Sequence, residues 1–327
     1  MEEDFMLAHQ LVAQYYPEFP RRRVGRIVTD TTDFMGIGYG DVMELGGLHY
    51  LVLREEKERS FGIEDPKYWV KRCLELETGQ NKIVKLVFYE SFPVSLGDMK
   101  IQCYRSPRKE ARILDIVQGD PRFMQGRCVQ DAVGNEVRIL DIVRGELWAN
   151  QIHRIPLDHR HYTFEVLPDL VERFVGACEA IALLHSRGEN HGDIRRDHLW
   201  IETATSQLVW IDFDYTYEFH ENPFGLDIFG LGNLLLYLCG KGFCTLLSMA
   251  EEGFSGKTDA VLDPEDFSML FRHRLCNLRK VYPYIPGKLN HVLMHFSAAA
   301  EIFYFHISEF VEDIYEGLAS LRQGDWS

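Results

Sequence analysis

The run His191-Gly192-Asp193-Ile194-Arg195-Arg196-Asp197-His198 is followed, after one short hairpin's worth of chain, by Ile211-Asp212-Phe213-Asp214. The pattern predicts strands at 198–202 and 208–212, so two carboxylates stand at the ends of paired strands. Carboxylates placed in this way divide a task. One can orient a hydroxyl nucleophile, and the other can hold a metal against a polyphosphate. No other stretch constrains the chain as strongly.

Around this run the periodicity changes once. Residues 3–16 carry Phe5, Ala8, Leu11, Val12 and Tyr15 at helical spacing until Pro17 and Pro20 stop them. Residues 21–47, which hold Gly36, Gly38, Gly40, Gly46 and Gly47, read as loop and short strand. Strand patterns follow at 48–54, 68–76 and 82–89, the last two forming a hairpin around Glu77-Thr78-Gly79-Gln80. Ser106-Pro107 opens a helix that Gly119-Asp120-Pro121 ends, and strands at 124–132 and 136–143 flank Gly134-Asn135. An inserted loop is expected near Pro93 to Met99. Beyond Gly145 the pattern is helical: 169–186 has one apolar face, 227–239 is apolar on nearly every side, and the remainder to about 319 is expected to be mainly helical.

The expected class is therefore α+β. It has an N-terminal extension over 1–47 (a helix plus a glycine-containing loop), an antiparallel-sheet lobe with one helix over 48–145, and a mostly helical lobe over 146–327. The chain has 50 acidic and 35 basic residues, a formal charge of -15, which repels nucleic acid and anionic membrane surfaces. Seven scattered cysteines make no zinc knuckle or redox pair and read as free thiols of a reducing compartment. The acidic N-terminus lacks the basic region of a signal peptide, and the most apolar helix is too short to cross a bilayer. A cytoplasmic protein with no membrane insertion and no nucleic-acid partner is expected.

Taken together, the motifs resemble those of the protein-kinase-like superfamily, and the resemblance runs in order from residue 48 to about 319. It implies a two-lobed fold. Lys85 in Ile83-Val84-Lys85-Leu86 matches the strand lysine that touches ATP phosphates, and Glu110 matches the helix glutamate that pairs with it. Val70 belongs to the nucleotide hairpin. Asp141, Ile142 and Val143 occupy the hinge that binds adenine through backbone groups, and Trp200 lies at the floor of the adenine pocket. Asp193 matches the catalytic aspartate that accepts the hydroxyl proton. Arg195 falls where charge on the transferring phosphoryl group is screened. Asp212 matches the metal-binding aspartate, with His198 and Asp214 as further metal candidates. His191 and Asp227 take structural roles, Asp227 bracing the catalytic loop through backbone bonds.

Four features depart from the family pattern. The phosphate loop, 62–70, holds only Gly62, with Glu64 and Asp65 beside it. His198 stands where asparagine is usual, a ligand better suited to manganese than to magnesium. Only 14 residues separate Asp212 from Asp227, and no Ala-Pro-Glu motif follows. The His-Gly-Asp and Asp-Phe-Asp forms are similar to aminoglycoside and choline kinases, while the Asp227 helix is similar to Ser/Thr protein kinases. The resemblance implies an ATP- and Mg2+- or Mn2+-dependent phosphotransferase acting on a hydroxyl of a small molecule or protein. The alternative is an inactive pseudokinase serving as a nucleotide-sensing or protein-binding scaffold. An acidic pocket walled by residues 240–290 would favour a cationic acceptor, and an open groove a peptide. His153, His159 and His161 read as exposed loop histidines.

Overall fold

A computed structural model of the chain describes residues 2–60, 63–96, 99–251 and 262–323. The chain divides into two compact units, Met1–Glu90 with Arg105–Val143, and Ser91–Tyr104 with Arg144–Ser327.

In the first unit, helix α1 (Glu2–Tyr15) precedes strands β1 (Ile27–Val28), β2 (Val42–Leu45), β3 (Leu48–Ser60), β4 (Ile63–Glu75) and β5 (Gln80–Lys85). The chain then leaves this unit for a hairpin, β6 (Ser91–Leu96) and β7 (Met99–Arg105). It returns through α2 (Pro107–Ile116), β8 (Gly126–Gln130) and β9 (Glu136–Asp141). The seven-stranded sheet has the order β1-β2-β3-β4-β5-β9-β8 and is antiparallel apart from the β1–β2 pair. Where an inserted loop was expected near Pro93 to Met99, β6 and β7 pair antiparallel, Phe92 with Cys103 and Val94 with Ile101. Alternation of side chains across this short segment outweighs the break signalled by Pro93, which lies in β6 at the sheet's edge.

The first forty-odd residues are tied into the sheet. Ala8, Val12, Phe19, Val24 and Ile27 pack on Val42, Leu51 and Leu76. The fully buried Lys71 of β4 donates to the Ile37 carbonyl at 2.5 Å and pairs with Glu55 at 3.2 Å. Asp131, at the β8–β9 turn, accepts from the Thr31 amide and hydroxyl at 2.8 and 2.7 Å. Helix α2 starts where Ser106 caps the Lys109 amide and Pro107 supplies the fixed φ of a first turn.

The second unit continues with β10 (Gly145–Leu147), α3 (Trp148–His153), α4 (His159–Glu165), α5 (Leu167–Ser186), β11 (Leu199–Glu202), β12 (Leu208–Trp210) and β13 (Tyr215–Glu218). It ends with α6 (Gly225–Cys239), α7 (Leu246–Glu251), α8 (Gly287–Met294) and α9 (Ile307–Gln323). Two small sheets form, β10-β11-β12 and β13-β7-β6. Helix α5 buries Leu170, Phe174, Cys178, Ile181 and Leu184 along one stripe, whereas α6 is buried on nearly every side, as an apolar helix must be.

The expectation of a mainly helical remainder is too broad. Residues 262–286 hold only two single-turn helices among the described residues, because Pro264, Pro283 and Pro286 interrupt continuous helical bonding. The histidine reading also needs correction, since His153 and His161 lie in α3 and α4 rather than in loops. His159 stacks on Tyr282 at 3.4 Å and bonds to the Tyr284 hydroxyl and the Cys239 carbonyl. All seven cysteines are free thiols, and no helix among the described residues is long and apolar enough to cross a membrane.

Candidate active site

The first unit supplies a buried ion network. Register sets Val70 of β4 opposite Lys85 of β5, and Lys85 opposite Arg138 of β9, so the three side chains share one face of the sheet. Helix α2 brings Glu110 onto that face. Lys85 Nζ donates to Glu110 Oε1 at 2.8 Å, and Arg138 Nε donates to Oε2 at 3.1 Å. Glu110 and Arg138 are fully buried and Lys85 nearly so. Arg138 also donates to the carbonyls of Glu136 at 2.8 Å and Leu86 at 3.2 Å, which fixes its guanidinium. One carboxylate thus holds two basic side chains, a geometry that keeps the lysine at a set position.

Sequence reasoning paired Lys85 with Glu110 and missed Arg138. The signal was available, as a lone arginine within the apolar run Val137-Arg138-Ile139-Leu140. Val70 is buried beside this row. Asp141 is exposed and paired with Lys82 at 2.6 Å, its amide donating to the Gln125 carbonyl, while Ile142 and Val143 are half-buried. Gly62 lies outside the described residues. Glu64 and Asp65 belong to β4.

The second unit supplies the loop 191–198 that carries the candidate catalytic residues. Asp227, in the first turn of α6, accepts from the amides of His191 at 2.6 Å and Gly192 at 2.9 Å, and from His185 Nε2 at 3.0 Å. Gly192 has φ +87°, a conformation that spares it side-chain strain. Gly230, one turn along α6, lets the loop lie directly on the helix, because a Cβ there would meet the Ile194 carbonyl at 2.7 Å. The Asp227 amide donates to the Tyr217 hydroxyl at 3.3 Å, and burial beside the Asp227 charge holds that phenol well above its ordinary range. His191 is fully buried, its Nδ1 accepting from the Asp193 amide at 3.3 Å. Neither the His185 nor the Tyr217 contact to Asp227 was expected from the sequence.

The polar groups of the loop are linked through His198. Arg195 Nε donates to His198 Nε2 at 3.1 Å, which assigns the ring proton to Nδ1. That proton is donated to the Asp193 carbonyl at 2.9 Å. The same ring lies 3.4 Å from Asp193 Oδ2 and 3.4 Å from Asp212 Oδ2, and Arg195 Nε lies 3.7 Å from Asp193 Oδ2. His198 thereby bridges the two carboxylates that the sequence set apart. Asp212 has φ +64°, a left-handed conformation uncommon outside glycine, and Phe213 and Asp214 beyond it are fully buried. Burial pushes the Asp193 carboxyl above its usual range. The neighbouring His198 and Arg195 pull it back, and the negative charges of Asp212 and Asp214 raise it again.

Crowding of carboxylates around one imidazole suits a divalent cation, whose charge would relieve the repulsion. Asp212 and Asp214 offer hard oxygens for magnesium, and His198 Nε2 is a ligand that manganese accepts more readily. Trp200, on β11, is half-buried and donates from Nε1 to the Asp197 carbonyl at 3.2 Å.

The first unit, a mostly antiparallel sheet with helix α2, and the second, built mainly of helices, match the α+β class expected from the sequence.

No protein-family model matches the sequence, and the comparison with curated proteins finds no match. Similar solved structures include the kinase domain of Mycobacterium tuberculosis PknI, at 14% identity and a TM-score of 0.48, covering 82% of this chain and 96% of that one. A point mutant of the same domain aligns at 13% identity and a TM-score of 0.49, covering 84% and 96%. A Rad53 fragment in complex with AMP-PNP aligns at 15% identity and a TM-score of 0.43, covering 75% and 60%.

Proposed function

We propose that this chain is a cytoplasmic phosphotransferase that uses ATP and a divalent metal to phosphorylate a hydroxyl acceptor. The observation that carries the reading is the linked set Asp193, Arg195, His198 and Asp212. Two carboxylates on one imidazole, one with a raised affinity for protons, are what hydroxyl activation beside a metal requires.

In this mechanism Lys85, fixed by Glu110, contacts the ATP phosphates, and Asp212 with Asp214 and His198 holds the metal. The metal, when bound, supplies charge neutralisation of the polyphosphate. Asp193 orients the acceptor hydroxyl and takes its proton, a role helped by the upward displacement of its carboxyl. Arg195 screens charge on the phosphoryl group as it passes to the acceptor. Asp227 keeps the His191 and Gly192 amides, and with them Asp193, in a fixed position.

Purified protein should bind ATP in the presence of manganese or magnesium and hydrolyse it slowly without acceptor. Asp212→Ala should lose both properties. No nucleotide binding with either ion would refute the proposal. One observation favours the second reading, a nucleotide-sensing or protein-binding scaffold: His198 Nε2 already receives the Arg195 N–H, the position a metal would need. Under that reading ATP binds without turnover, and Asp193→Asn changes neither.

A further inference from the structure

The wall of the second unit beside the catalytic loop is cationic. Arg196, three residues after Asp193, lies with its guanidinium 5.9 Å from the ring centres of Tyr237 and Phe243. Arg274 lies against the opposite partners of that group, 3.8 Å from the Phe243 ring and 3.7 Å from Phe271. The two arginines share one phenyl ring. Arg274 donates from one terminal nitrogen to Asn233 Oδ1 of α6 at 2.8 Å, and its buried Nε has no hydrogen-bond partner.

Among the described residues no carboxylate pairs with Arg274. Arg196 meets only its own neighbour Asp197, at 3.5 Å, where both side chains are half exposed. Burial, and then the like charge of Arg196, draws the Arg274 guanidinium down to about 10, at which it still carries its proton at neutral pH. A part-buried Arg274 guanidinium held on aromatic faces beside a second arginine, with the half-exposed Asp197 as the one carboxylate paired to the two among the described residues, is costly unless an anion joins them. The planar fork of arginine is matched to the oxygens of phosphate and carboxylate.

We propose that Arg196 and Arg274, with the rings of Phe243, Phe271 and Tyr237, bind the acceptor, and that this acceptor is a small hydroxylated molecule bearing an oxyanion. The inference rests on the phosphotransferase reading and narrows it. Of the two arginines, Arg274 comes from the 240–290 segment, where an acidic pocket would have favoured a cationic acceptor.

The test is calorimetric titration of the full chain with inorganic phosphate and, separately, acetate, alongside manganese-ATP. Phosphate should bind, and Arg274→Gln should weaken it about tenfold or more, the scale of a lost charge-assisted bond. Arg274→Lys, which keeps the charge, should recover part of the affinity. Manganese-ATP affinity should be unchanged in Arg274→Gln, which also shows that the variant is folded. Tighter binding of phosphate than acetate would assign the anion to a phosphate ester, and the reverse order to a carboxylate. Equal phosphate binding by wild type and Arg274→Gln, or none by wild type up to about 10 mM, overturns the proposal. Phosphate binding that depends on Arg274 in a protein without ATP turnover would sink the phosphotransferase reading and leave the anion site standing.

Discussion

Replacing Glu110 by glutamine keeps its volume and removes the single anion shared by Lys85 and Arg138. Breaking a buried ion pair on one side costs about 3–5 kcal/mol, because the remaining charge loses both its partner and its water. Here two cations are affected, but unequally. Lys85 retains slight exposure and a flexible stem that can extend toward solvent. Arg138 is fully enclosed and held by the Glu136 and Leu86 carbonyls, so it cannot relocate.

The expected cost of Glu110→Gln is therefore about 3–4 kcal/mol. Arg138→Met, which leaves the Lys85–Glu110 pair intact, should cost about 1–2 kcal/mol, the scale of its lost charge-assisted bond. The double variant should be less destabilised than the sum of the two by about 2 kcal/mol, since Arg138→Met removes the cation that Glu110→Gln strands. Hydrogen exchange of the β5 and β9 amides reads this loss locally. Additive effects, or Glu110→Gln exchange protection within about 0.5 kcal/mol of wild type, a change no larger than a neutral surface substitution, would refute the argument.

Burial brings His159 down to about 4, so its neutral form belongs to the folded state. Its contribution is complete above the unfolded value near 6.5 and is lost as pH falls from there toward 4. Between pH 7 and 5 about 2 kcal/mol of stability should go, and urea titrations of His159→Gln should lack that component. Asp227→Asn exchanges the carboxylate that takes three donors for an amide. Turnover should fall by about tenfold or more, with manganese-ATP affinity kept, if loop position is what Asp227 provides. Gly232→Ala would bring a Cβ to 2.2 Å from the Phe296 ring, and thermal unfolding should show a loss of about 1–3 kcal/mol.

Much of the plan could be read from residue patterns because the determining signals are local. The α6 run is apolar on all sides, Ser106-Pro107 marks a helix start, and Glu77-Thr78-Gly79-Gln80 marks a turn. What was missed depended on register or on distant partners. Arg138 becomes a partner of Glu110 only because β9 pairs with β5 so that residue 138 lies opposite residue 85. His185 looked like a favourable charge at a helix end, yet its ring bonds to Asp227, 42 residues away. Pro93 to Met99 reads as a loop from sequence alone because the strands β6 and β7 complete their sheet with a third partner, β13, far along the chain. His198 was read as a substitute metal ligand. Its bridging of Asp193 and Asp212 follows from the loop's turn, which no spacing rule describes.

That third partner has a consequence for local order. Strand β13 begins at Tyr215, immediately after Asp214, and lies at one edge of its sheet beside β7. Phe92 meets Tyr215 edge to face at 5.5 Å, and Tyr104 donates to Glu218 at 3.3 Å, so side chains reinforce the pairing. The stretch downstream of Asp212 is therefore already latched by its own polypeptide. Residues 215–218 thus owe their order to a strand more than a hundred positions earlier, and loosening the 91–96/99–105 pair should loosen them too.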